Sequence, residues 1–218
     1  MTAHSTHFDA ARPRALPRVP VASSRQTPRL LVVPGLHDSG PAHWQSWLQA
    51  QLRDSVRVVQ DDWSTPDLTR WADRIESTLQ AAGPGPWLVA AHSFGVLALA
   101  HLVGRRMAAQ AAGDEPAPLG LKGALLVAPA DPVKFGVTDR LPQEALPLTT
   151  TLVASDSDPW MSAGQARHWA GVWGSGHLNL GDAGHINAES GFGPLPLARR
   201  WWLAMQQRLA RQQRPGLA

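Results

Sequence analysis

The chain contains no cysteine. That excludes disulfides, thiol nucleophiles, thiolate metal sites and redox motifs together, and it fits a reducing compartment. Tyrosine is also absent, so no phenol can serve as acid, base or oxyanion donor. No apolar stretch approaches the ~18 residues of a membrane-spanning helix. The first residues, MTAHSTHFDAARPRALPRVPVASSRQTPR, lack the apolar centre of a signal peptide. A cytoplasmic protein is the expectation. A net charge of +3 is small, and the arginines scatter rather than cluster. The balance predicts neither nucleic-acid nor membrane binding.

What is present reads as one α/β core behind an arm. Residues 1–27, rich in Pro, Arg and Ser, are expected to be flexible or extended. Residues 28–218 are expected to form a single domain. Within it, apolar runs alternate with amphipathic stretches. The predicted strands are 29–35, 55–60, 85–93, 121–130, 148–155 and 176–181. The predicted helices are 41–53, 65–80, 94–108, 162–173 and 195–210. The first helix is expected to carry Pro41 at its first position, and the second to have a Thr65 cap with Pro66 at its first position. Such alternation predicts a mainly parallel sheet of about six strands with helices on both faces. Right-handed crossovers place the strand C-terminal ends along one edge, where open α/β sheets bind ligands. The irregular segment 129–147 is the candidate for a small cap over that edge.

The chemistry centres on AHSFG, residues 91–95. It approximates the G-x-S-x-G turn that lifts a nucleophilic serine between strand and helix. Ala91 stands where the first glycine belongs; one methyl more is expected to leave the turn intact. The competing reading is a serine that caps a buried helix. Chain order favours the nucleophile. A Ser, acid, His order suits this fold, and Ser93 is followed by SDSDPWM with Asp156 and Asp158, then GDAGHIN with His185. Asp158, extended by the following Pro159, is the favoured acid. Asp156 and Asp182 are expected to tie their turns together. His4, His7, His101, His168 and His177 have weaker claims as a base, lying in the arm, in helices or in a strand. Oxyanion donors are expected from the amides of Phe94 and of Leu36 in the loop PGLHDSG. His37 and Ser39 in that loop could position substrate or water, or merely cap the next helix. Trp63 and Trp160 are pocket candidates; ordinary packing competes. Trp44, Trp47, Trp71, Trp169 and Trp201 lie on helical stripes and are expected in the core.

The segments VPGLHDSGPAHWQSWL, QDDWSTPDL, VAAHSFGVLAL, VASDSDPW and GDAGHINAESGFGPLP together resemble small α/β-hydrolase-fold serine hydrolases related to retinoblastoma-binding protein 9. The resemblance spans residues 30–200. It implies an α/β-hydrolase fold with little or no lid, the nucleophile at Ser93, the acid at Asp158 and the base at His185. It also implies turnover of small esters or related acyl compounds without metal or cofactor. The alternatives are a catalytically weak interaction module with a protein partner, and an acyltransferase or perhydrolase using the same three residues. A metallohydrolase lacks support, since no helical histidine pair has ligand spacing.

Overall fold

The computed structural model describes residues 27–114, 116 and 118–213; the arm expected at 1–27 lies, but for Thr27, outside them. Among the described residues six strands and five α-helices follow one another, alternating except between the fourth and fifth strands. They are β1 (Arg29–Val33), α1 (Trp44–Ala50), β2 (Ser55–Arg57), α2 (Leu68–Ala82), β3 (Trp87–Ser93) and α3 (Phe94–Ala111), then β4 (Leu121–Pro129), β5 (Thr149–Ala154), α4 (Ala163–Val172), β6 (Gly176–Asn179) and α5 (Pro196–Gln212). The strands form one sheet in the order β2-β1-β3-β4-β5-β6, and every neighbouring pair is parallel. This is the architecture of the α/β-hydrolase group.

Side-chain alternation along the strands divides the core in two. Leu31, Val33, Val89 and Leu126 pack with Trp71, Ile75 and Leu97, covering one face with α2, α3 and α4. Leu30, Val32, Leu88 and Leu125 pack with Trp44, Leu48 and Trp202, covering the other face with α1 and α5. The central strand β3 is buried along its whole length, as a parallel strand covered on both faces must be. Among the described residues, no helix is long and apolar enough to cross a membrane.

Several boundaries differ from the sequence expectation. α1 begins at Trp44, not Pro41, because His43 caps it by accepting from the Gln45 amide. α2 is capped by Asp67, which accepts from Arg70 N at 3.1 Å. Thr65 contributes its carbonyl instead, accepting from Trp71 Nε1 at 3.2 Å. Asp67 takes the capping position with its carboxylate on the free amide of Arg70, so the helix starts after Pro66 rather than with it. β2 stops at Arg57; beyond it Val59 is 59% exposed, as befits the end of an edge strand. On α5, Trp202 is buried in the core while Trp201 is only half-buried against it. In segment 129–147, Val137 and Leu141 are buried in the core, and His101 Nδ1 on α3 hydrogen-bonds the Arg140 carbonyl at 2.8 Å.

Candidate active site

β3 ends in the turn that presents Ser93. The residue has φ 53° and ψ −127°, a left-handed backbone that a non-glycine residue adopts only when its surroundings enforce it. Two glycines make the enforcement feasible. A Cβ on Gly95 would lie 2.2 Å from the Pro34 carbonyl oxygen, and one on Gly35 would lie 2.7 Å from Ser93 Cβ. The loop after β1 therefore presses directly against the nucleophile turn. Ala91 is different. It sits in regular strand, paired with Val33 and Leu126, fully buried in the core.

The strand C-terminal edge brings three predicted residues together. Ser93 Oγ lies 2.9 Å from His185 Nε2. His185 Nδ1 lies 2.9 and 3.0 Å from the two carboxylate oxygens of Asp158. A carboxylate only accepts, so in the neutral imidazole the proton resides on Nδ1 and Nε2 is free to accept from the hydroxyl. Asp158 is further held by Trp160 N, which donates to Oδ1 at 2.9 Å. Asp156 and Asp182 are occupied elsewhere: Asp156 accepts from Asn179 Nδ2 at 2.7 Å, and Asp182 accepts from Ser157 Oγ.

The loop after β1 is over-determined. His37 and Asp38 have φ 65° and 62°. His37 N donates to the Trp63 carbonyl at 2.9 Å. Arg57 Nη1 pairs with Asp38 at 2.9 Å and donates to the Ser39 carbonyl at 3.0 Å. Buried Gln45 donates to the carbonyls of Val33 and Ala90 at 3.0 and 2.9 Å, tying β1 to β3 beneath the site. Leu36 N and Phe94 N make no backbone hydrogen bond in the described turns and loops.

These elements enclose a cavity of about 280 Å³ that includes Leu36, His37, Ser93, Phe135, Trp160 and His185 in its wall. Phe135 and Trp160 stack at 6.4 Å with an interplanar angle of 29°. Ser39 and Trp63 do not line it. Ser39 is buried and hydrogen-bonded to Gln45, and Trp63 sets its ring edge-on to Trp71 at 5.8 Å. A larger cavity, about 400 Å³, lies between the end of α3 and the start of β4, and its walls carry neither serine nor histidine.

The serine hydrolase family profile matches residues 30–204. The chain belongs to the serine hydrolase family. This is the group that includes the relatives of retinoblastoma-binding protein 9 and the YdeN proteins. A structure described as a YdeN-like hydrolase from Pectobacterium atrosepticum is 37% identical, with a TM-score of 0.74, over 84% of this chain and 92% of that one. The ydeN product of Bacillus subtilis shares the fold at 17% identity and a TM-score of 0.64, over 82% of this chain and 98% of the other. No curated protein matches the sequence.

Among the residues around the cavity that sequence reasoning about this serine hydrolase missed are Phe135, His43 and His92. The histidines adjoin the motifs it used, in GPAHW and AHSFG, and that adjacency was the available signal. Burial, with Arg57 nearby, pushes the His43 pKa down to about 4. Burial, with His185 and His43 nearby, holds the His92 pKa well below its ordinary value. Two neutral imidazoles therefore flank the Ser93–His185 pair.

Proposed function

We propose that the protein hydrolyses small carboxylic esters or related acyl compounds through a Ser93–His185–Asp158 triad and an acyl-enzyme. The observation that carries this reading is the unbroken chain of contacts from Ser93 Oγ through the imidazole to a buried carboxylate. Ser93 Oγ attacks the acyl carbonyl while His185 Nε2 takes its proton. Asp158 holds the tautomer that leaves Nε2 basic and stabilises the imidazolium that forms. The amides of Leu36 and Phe94 receive the developing oxyanion. Collapse of the tetrahedral species expels the leaving group, which takes the proton from Nε2. Water then repeats the sequence on the acyl-enzyme, releasing the acid and restoring Ser93.

Cavity size and wall chemistry support small substrates. About 280 Å³ lies at the lower end of ligand-site volumes. The stacked Phe135–Trp160 pair gives one wall an apolar surface for the acyl group, and His37 adds a polar group. The test is a panel of p-nitrophenyl esters of increasing acyl length, run beside the Ser93→Ala protein. Turnover that favours short acyl groups and falls by about three to six orders of magnitude in the variant is expected. Equal rates in the two proteins would overturn the reading. Adding alcohol or peroxide acceptors and analysing products distinguishes hydrolysis from acyl transfer on the same triad.

A further inference from the structure

His92 immediately precedes the nucleophile and is only 5% exposed. Its Nε2 lies 3.0 Å from the main-chain carbonyl oxygen of His185. A carbonyl oxygen only accepts, so Nε2 carries the proton and donates it. Burial keeps the ring neutral, and a neutral imidazole has a single N–H. The one proton of His92 is therefore committed to the backbone of the residue proposed as base.

That backbone needs holding. Gly184 and Ile186, on either side of His185, have φ 52° and 46°. For a β-branched residue this conformation is strained and persists only where the surroundings over-determine it. Five contacts do so: Gly184 N donates to Ser157 Oγ at 3.0 Å, Ile186 N donates to the Ala183 carbonyl at 3.1 Å, and three more follow. Ile186 is fully buried in the core beside α1 and α5. His185 N donates to Ser190 Oγ at 3.1 Å, and His185 O accepts from His92. The ring of His92 also lies against that of His185, centroids 4.8 Å apart at 55°. His43 meets the His92 ring edge-on at 4.8 Å and 69°. His92 thus touches the base at its main chain and against its imidazole.

We propose that His92 is a positioning residue for His185: its Nε2–H anchors the strained main chain from which the imidazole is aimed at Ser93 Oγ. The inference rests on the triad reading above. Near-attack geometry is sensitive enough that a displacement of ~1 Å costs about 100-fold in rate, so loss of the anchor acts on the chemical step rather than on substrate binding.

The test compares His92→Gln with His92→Met, side chains of similar length that differ in the donor. Gln places its amide nitrogen near the position of Nε2. His92→Gln is expected to keep kcat within a few-fold of the parent. His92→Met is expected to lose about 100-fold in kcat with KM little changed. The low-field proton resonance of the His185–Asp158 hydrogen bond should persist in the Gln variant and broaden or vanish in the Met variant. A Met variant matching the Gln variant in kcat and in that resonance would overturn the proposal. Should His92→Met fail to fold, nitrogen-15 NMR of the unmodified protein decides: a neutral Nε2–H tautomer is expected for His92, and an Nδ1–H tautomer or an imidazolium at neutral pH would contradict it. Ser93→Ala, assayed alongside, separates the two levels. Turnover independent of Ser93 defeats the triad reading, whereas Ser93-dependent turnover that His92→Met leaves intact defeats the anchor alone.

Discussion

Ser93 is presented by a backbone that few residues tolerate, and the residues that permit it are glycines at 35 and 95 rather than one at 91. The close approaches of 2.7 and 2.2 Å that a Cβ would suffer there involve the nucleophile itself and a main-chain carbonyl. Neither obstacle is the end of a flexible side chain. Gly35→Ala and Gly95→Ala should each destabilise the fold by at least about 1–3 kcal/mol and depress ester turnover, checked by urea unfolding and steady-state rates. Ala91→Gly should do the opposite of what the familiar motif suggests. It restores the expected glycine yet gains nothing at the turn, and it should cost about 0.5–1 kcal/mol through strand entropy with kcat unchanged. The motif's missing glycine was legible in the sequence as an anomaly. Its harmlessness was expected from the small size of one methyl, and the structure supplies the reason: Ala91 still lies in regular strand two residues before the strained position.

At the scale of elements, the loops after β5 and β6 carry the acid and the base, and serines stitch them together. Ser155 Oγ donates to the Gly181 carbonyl and accepts from Ala183 N, both at 3.0 Å. Ser157 Oγ accepts from Gly184 N at 3.0 Å. Ser155 is 1% exposed, so Ser155→Ala leaves the buried Ala183 amide without its partner, at a cost of about 1–3 kcal/mol, while the Gly181 carbonyl keeps the Asp156 amide at 2.8 Å. Thermal unfolding should show that loss, with a fall in kcat as the two loops drift apart. Strand and helix order was readable from apolar periodicity, and the Ser, Asp, His order from motifs placed at strand ends. The cap of α1 was not, since it is made by a histidine. Nor were Ser39 and Trp63, whose sequence positions beside the site say nothing of side chains that Gln45 and Trp71 draw inward. Phe135 escaped notice because it belongs to an irregular segment whose path is set by packing rather than by local pattern.

For the molecule as a whole, an all-parallel sheet directs six strand ends to one edge and buries two histidines there without charge. The unfolded chain restores their ordinary basicity, so below pH 6.5 it binds more protons than the native protein does. Stability is then full above pH 6.5 and declines as pH falls from 6.5 towards about 4, the window of His43. Replacing His43 by Asn keeps a capping acceptor for α1 and removes the titrating group. Urea unfolding across that pH range should show a shallower decline for His43→Asn than for the parent, and identical slopes would contradict the assignment. The central claim, that Ser93 is the nucleophile, is tested most directly by fluorophosphonate labelling followed by peptide mass mapping. The account predicts a single adduct on the peptide bearing Ser93, abolished in Ser93→Ala. A native protein that does not react, or an adduct on another residue, would contradict it.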